Sequence, residues 1–297
     1  MEKAQEFEAH RPRLFSLAYR MLGSAAEAED AVQDAYLRWH GAERERIAAP
    51  GPWLAKVTTN LCLNRLTSAR ARREEYVGPW LPEPVRTDGG ALGPMETAEQ
   101  RDAVSLAVLV MMERLTPPER AAMVLRDAFD YSHRDVADVL DCSEANARQL
   151  YRRAKQHLGD ERPRFVSSQG ESGELVLRFL EAAAHGELAQ LEELLAGQVV
   201  AWSDGGGKVG AARRPVVGRE NVARFLAGLF ARWATGVRIE VVEANGTAMV
   251  LGWEGGALTS CGALELGGAG ITGVRLIRNP DKLAFLAHQC SGLSQNT

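Results

Sequence analysis

LTPPERAAMVLRDAFDYSHRDVADVLDCSEANARQLYRRAKQHL, running from Leu115 to Leu158, decides how the chain is read. Three helix starts are written into it. Thr116-Pro117-Pro118-Glu119 is a capping box with prolines in the first turn, where a missing N–H costs nothing. Ser132 caps a second helix and Ser143 a third. Val136, Ala137, Leu140, Cys142, Ala147 and Leu150 are the apolar positions that lock two short helices across a tight turn, with the small Ala137 where they cross. Asp141 stands where such turns usually carry Gly, and Asp tolerates a left-handed backbone better than most residues. The pattern predicts a helix-turn-helix.

Its last helix has two kinds of surface. Ala147, Leu150, Tyr151, Ala154 and Leu158 fall at helical spacing and point inward. Arg148, Gln149, Arg152, Arg153 and Lys155 lie on other faces, and no acid follows Glu144 before the helix ends. A helix that reads bases in a major groove needs such a surface: forked donors for guanine, amides for adenine, cations for phosphate. A solvated basic helix in an ordinary bundle is the bland alternative. The three caps, the crossing alanine and the charge bias favour DNA reading.

At 297 residues the chain is long enough for two or three domains, and 45% hydrophobic residues are enough for packed cores. The longest apolar run, about Ala103 to Met112, is too short to span a bilayer, and the charged start MEKAQEFEAH does not read as a signal peptide. Cys62, Cys142, Cys261 and Cys290 are scattered, with no CxxC and no His/Cys cluster. That favours a reducing, cytoplasmic setting and argues against a metal site, and no cofactor motif is present. Burial in helical cores explains Cys62 and Cys142 better than redox chemistry. Net charge is −4, with a pI near 5.9. A protein that held DNA alone by counterion release would normally be basic. Here the cations are concentrated in two windows, Arg65 to Arg73 and Arg148 to Lys155. Such a chain touches DNA at two places and draws most of its affinity from a larger partner.

Upstream, Phe7 to Leu22 and Ala25 to His40 read as helices, the second with an acidic outer face of Glu27, Glu29, Asp30, Gln33 and Asp34. After Pro50-Gly51-Pro52 a long helix runs from Trp53 to about Arg73, mixing Asn60, Asn64 and Arg65 among packing residues and ending in a basic block. Polar side chains beside an aromatic suit melted DNA, although this helix alone fits a surface helix whose basic end complements its dipole. Tyr76 to Pro94 is a Pro- and Gly-rich linker anchored by Trp80 and Leu81. A helix from Glu96 to Met112 leads into the helix-turn-helix, and Gly159 to Gly170 is a second linker.

The order of these parts resembles an extracytoplasmic-function, or group four, sigma factor of bacterial RNA polymerase. The resemblance is carried by AEDAVQDAYLRWH (Ala28 to His40), PWLAKVTTNLCLNRL (Pro52 to Leu66) and LTPPERAAMVLRD (Leu115 to Asp127). It implies that Asp30, Gln33, Asp34 and Trp39 dock the largest subunits of the polymerase core. It implies that Asn60, Asn64, Arg65, Arg70, Arg72 and Arg73 capture the melted minus-ten element. Asn146, Arg148, Gln149, Arg152 and Arg153 would read the duplex minus-thirty-five element. No covalent chemistry follows, so an enzyme is not expected. WLPEP (Trp80 to Pro84), DGGGKV (Asp204 to Val209) and NPDKL (Asn279 to Leu283) further resemble the signatures of sigma factors with a fused SnoaL-like domain. The implied regulatory positions are Trp80, Pro82, Asp204, Gly205, Gly206, Lys208, Asn279, Pro280, Asp281 and Lys282.

In the C-terminal third, Glu171 to Ala184, Glu187 to Ala196 and Gly218 to Trp233 read as helices. Strands are expected at Val199 to Ser203, Val237 to Glu243, Thr247 to Trp253, Leu258 to Leu266 and Gly273 to Arg278, with Asn245-Gly246 as a hairpin turn. The expected fold is therefore two all-α sigma domains, the second with the helix-turn-helix, followed by an α+β SnoaL-like cone with a curved antiparallel sheet. Expected boundaries are 1–75 for region 2, 76–95 for the linker, 96–158 for region 4, 159–170 for the second linker and 171–297 for the regulatory domain. In enzymes of that shape buried Asp and His residues do acid–base work. Here the candidates would be Asp204, His185 and His288, which read better as turn and surface residues. Asp281 would cap whatever follows Pro280.

The expected partners are polymerase core, promoter DNA as duplex and melted strand, and an intramolecular contact from the C-terminal domain. A small ligand for that domain stays open, and no membrane is expected. Two rival readings are a ligand-sensing helix-turn-helix regulator and a SnoaL-like enzyme fused to a DNA-binding module. The first leaves Ala25 to Arg73 without a purpose, and the acidic pI argues against tight operator binding without a partner.

Overall fold

The computed structural model describes residues 2–88, 92, 104–159, 169–185, 187–233 and 236–293. It forms two compact units, Met1–Glu75 with Thr87–Arg162, and Tyr76–Arg86 with Pro163–Thr297. The start of the expected Glu96–Met112 helix and most of the 159–170 linker lie outside the described residues. Among the described residues no helix is long and apolar enough to cross a membrane.

The first unit is helical. Helices α1 (Glu2–Leu22), α2 (Ala25–Gly41) and α3 (Pro50–Glu74) bury the expected stripes, including Leu14, Leu17, Met21, Val32 and Leu54. Ser24 caps α2 by accepting from the Glu27 N–H at 3.1 Å. Helix α4 (Leu106–Met112) follows, capped by Ser105, then α5 (Pro117–Phe129), α6 (His133–Val139) and α7 (Glu144–Leu158). Each expected cap forms. The Thr116 N–H donates to Glu119 at 3.0 Å, Ser132 accepts from the Asp135 N–H at 3.1 Å, and Ser143 accepts from the Asn146 N–H at 3.2 Å. Asp141 has φ +50°, the left-handed turn between α6 and α7, and Ala137 is buried at the crossing. Cys142 is only half-buried, because it lies in that turn, before α7 begins.

Arg120 ties the two helical sets together. Its guanidinium is 2% exposed and donates to the Arg20 carbonyl at 3.1 and 3.2 Å, while Glu113 takes its remaining arm. Burial pushes Arg120 down to about 9 and Arg20 down to about 10.

In the second unit, α8 (Gln169–His185) and α9 (Leu188–Leu194) lead into β1 (Leu195–Asp204) and the short β2 (Val216–Val217). Next come α10 (Arg219–Trp233), β3 (Val237–Ala244), β4 (Thr247–Glu254), β5 (Ala257–Gly267), β6 (Gly270–Ile277) and α11 (Pro280–Leu293). The six strands run in the order β2-β1-β6-β5-β4-β3. The sheet is mixed rather than wholly antiparallel, since β1 pairs parallel with β6. A parallel pair needs a long crossover; here α10 and the β3-β4-β5 meander lie between the two strands in sequence. Phe179, Leu191, Val222 and Leu226 of the helices pack with Val199, Ala201, Val250, Leu264 and Val274 of the sheet. Asn245 and Gly246 both have positive φ, as a two-residue hairpin turn requires. Helix α11 begins straight after Asn279, whose side-chain Oδ1 accepts from the Asp281 N–H at 3.2 Å. Asn279, not Asp281, therefore takes the capping position, and Pro280 sits in the first turn where its ring is tolerated.

Candidate nucleic-acid interface and linker latch

The candidate recognition surface of α7 is laid out as its periodicity implies. Ala147, Ala154 and Leu158 are buried, while Asn146, Arg148, Gln149, Arg152 and Arg153 are exposed. Arg148 is held by Glu144 one turn back, and Lys155 and Tyr151 both bind Asp127 at 2.7 Å. Those last two contacts orient the helix on α5 and leave the exposed amides and guanidiniums for a ligand. At its far end Glu119 meets His157 at 3.2 Å. Burial alone would raise the Glu119 carboxyl, but the hydrogen bonds from Thr116 outweigh it and hold the group below the usual range.

On α2, Asp30 and Gln33 are exposed and Asp34 half-buried. Trp39 is not on that face. It is fully buried, donates its indole N–H to the Lys3 carbonyl at 2.8 Å and packs against Trp53 with ring centroids 5.8 Å apart. Helical periodicity places it on the inner side of α2 with Ala28, Ala31, Val32 and Ala35, and the structure buries it there, away from the exposed position that the family resemblance implied. Arg65 of α3 reaches back to α2, with Asp34 at 2.7 Å and Asp30 at 3.6 Å. Asn60 is half-buried and Asn64 exposed on the same helix. Arg73 is taken: it is 15% exposed, binds Glu113 and donates to the Leu22 carbonyl at 2.6 Å. It braces the packing of α3 on α4 here and is not displayed for DNA. The side chains of Arg70 and Arg72 lie outside the described residues.

The second unit holds a constellation that sequence separation hides. Asp204, at the end of β1, is fully buried, so it is not the surface turn residue that its Gly-rich neighbours suggest. One carboxylate oxygen accepts from the Tyr76 hydroxyl at 2.6 Å and the Gly206 N–H at 3.1 Å. Its other oxygen accepts from the Leu81 N–H at 2.8 Å and from Lys282 at 2.7 Å. Lys282, itself buried, also donates to the Leu81 carbonyl at 2.6 Å and lies over the rings of Tyr76 and Trp80, 4.6 and 4.3 Å from their centroids. The Asn279 amide donates to the Tyr76 hydroxyl at 2.9 Å. Burial first, and then the bond to Asp204, raise the Tyr76 phenol.

Glycine is required twice in this latch. A Cβ on Gly205 would sit 2.6 Å from the Val209 carbonyl, and one on Gly206, at φ +59°, would collide with the Asn279 amide. Lys208 pairs with the exposed Asp281 across the outside, and Pro82 is buried within the strap. Further along, Asn245 and Val85 exchange bonds of 2.9 Å and the Arg86 N–H donates to Gln289 at 2.9 Å. WLPEP, DGGGKV and NPDKL thus meet in one place, with Tyr76, Val85, Asn245 and Gln289 as partners that no motif signalled. His185 and His288, by contrast, are exposed.

A charge-bearing helix-turn-helix, an acidic-faced helix pair and a latched C-terminal unit define a class. Profiles of Sigma-70 region 2 and Sigma-70, region 4 match residues 7–72 and 105–158. The chain belongs to the ECF RNA polymerase sigma factors, proteins that direct promoter recognition. It is 39% identical over 275 residues to ECF RNA polymerase sigma factor SigJ of Mycobacterium tuberculosis, covering 92% of this chain and 84% of that one. Similarity to the probable ECF RNA polymerase sigma factor SigI of the same species is 30% over 293 residues, 96% of each chain. The crystal structure of Mycobacterium tuberculosis SigJ superposes with a TM-score of 0.75 at 34% identity, covering 95% of this chain and 98% of that one.

Proposed function

We propose that this sigma factor is controlled in cis through the strap that joins its two promoter-reading regions. In this reading Asp30, Gln33 and Asp34 dock the polymerase core. Asn60, Asn64 and Arg65 take the melted minus-ten strand, and Asn146, Arg148, Gln149, Arg152 and Arg153 read the minus-thirty-five duplex. The observation that carries the regulatory part is the buried Asp204–Lys282 pair closed on the main chain of Leu81. The peptide it grips is the linker between regions 2 and 4. An extended residue adds at most about 3.6 Å of reach, so holding Tyr76–Arg86 shortens the span available between the two DNA elements. Tethering makes the grip effective even if its intrinsic affinity is modest.

In vitro transcription with core polymerase tests both parts. The full chain, a version ending at Gly170 and the Lys282→Met variant would be compared on one promoter. All three should initiate from the same start site, with outputs that differ between latched and unlatched forms. Equal output from all three sinks the regulatory reading, and no core-dependent initiation by any of them sinks the sigma assignment for these residues.

A further inference from the structure

Beside the latch, the second unit holds a cavity of about 390 Å³. That is within the range of roughly 300–1,000 Å³ that small-molecule sites occupy. It lies between α10 and the ends of the parallel pair β1 and β6, lined among others by Ser203, Arg224, Phe225, Leu229, Leu276 and Arg278. Ligands of open sheets collect at the carboxyl ends of parallel strands, where side chains and loop backbone converge.

Three features of its wall go unexplained by folding. Ser203 is 2% exposed, and its hydroxyl has no hydrogen-bond partner among the described residues. Among the described residues two guanidiniums line the space and no carboxylate does. Arg278 donates to the Gly210 carbonyl, and Arg224 is loosely tied to Glu220 at 3.5 Å and Asn221 at 3.2 Å. Finally, Gly228 lies inside α10, at the mouth, where glycine weakens a helix relative to alanine. A Cβ there would meet nothing within 4 Å. Neither close packing nor a left-handed backbone demands glycine at this position; its absent side chain keeps the mouth open.

We infer that this cavity binds a small organic carboxylate with a flat apolar body. The carboxylate would lie between Arg224 and Arg278, and the body would rest on Phe225, Leu229 and Leu276. A charge-assisted contact to guanidinium supplies orientation, and the apolar walls supply most of the buried area. The site shares its backbone with the latch. Ser203 precedes Asp204, and the N–H groups of Arg278 and Asn279 both donate to the Asp204 carbonyl, at 2.7 and 2.9 Å. Occupancy would thus reach Asp204 and Asn279 directly; that consequence rests on the cis control proposed above, whereas binding itself does not.

Calorimetric titration of the full chain with 2-naphthoate, octanoate and the neutral 2-naphthamide tests the site without polymerase. Naphthoate should bind saturably, and the amide about ten-fold or more weaker. Arg224→Gln, on an exposed side chain, should erase most of that difference. Gly228→Leu should abolish binding of both while leaving the thermal midpoint unchanged or higher. The inference is overturned by any one of three results: no saturable carboxylate binding at millimolar concentration, equal affinity for acid and amide, or wild-type binding by a folded Gly228→Leu chain. None of these binding results decides the transcription comparison, so the two proposals fail separately.

Discussion

Lys282 and Asp204 show how much can rest on one buried ion pair. Removing one partner strands a charge in a place without water, which typically costs about 3–5 kcal/mol. Lys282→Met should therefore unfold the second unit at markedly lower denaturant, whereas Tyr76→Phe, which loses a hydroxyl bonded to Asp204 and Asn279, should cost about 1–3 kcal/mol. Urea unfolding followed by Trp fluorescence checks the ranking. Cys62 gives a pH test. Burial pushes its thiol from 9.0 up to about 12, so the folded state favours the protonated form. The stability this contributes is complete below pH 9 and is lost as pH rises towards 12. Cys62→Ala should flatten the alkaline limb of the unfolding curve; an unchanged limb would show that Cys62 does not set it. By the same logic iodoacetamide at neutral pH should label half-buried Cys142 well before buried Cys62.

The recognition helix is a unit with separable stability and reading. Its N-cap, Ser143, contributes about 1 kcal/mol, and Ser143→Ala should lower stability by that amount while leaving base preference intact. Arg152→Ala should do the reverse. Its side chain is exposed, so folding is indifferent to it, but promoter binding by the polymerase complex should weaken. If Arg152 meets a phosphate, the slope of log affinity against log salt falls by about one; if it reads a base, the loss is about 1–3 kcal/mol and confined to one position. Footprinting across a salt series separates the two.

Within the first unit, α1 and α3 pack on α5, and Arg73, Glu113 and Arg120 knit regions 2 and 4 into one body. Glu113→Gln should loosen this contact, because it removes the carboxylate shared by both arginines. Expected outcomes are a lower unfolding midpoint and faster proteolysis of the first unit. Unchanged digestion would mean that Glu113 is not the clasp.

Much of this was legible in the residues alone. The caps at Thr116, Ser132 and Ser143, the left-handed Asp141 and the two-faced α7 follow from local rules, because helix starts, turns and periodicity depend on neighbours within a few positions. The exposed reading surface of α7 was legible for the same reason. The engagement of Arg73 by Glu113 and the parallel β1–β6 pair were not, since each depends on what packs opposite. The latch is the clearest case. Sequence shows three short motifs, but 123 residues separate Leu81 from Asp204 and 201 separate it from Lys282. Only the folded sheet brings them within hydrogen-bond reach, where excluding water turns a turn-forming Asp and an ordinary Lys into a buried pair that holds the strap.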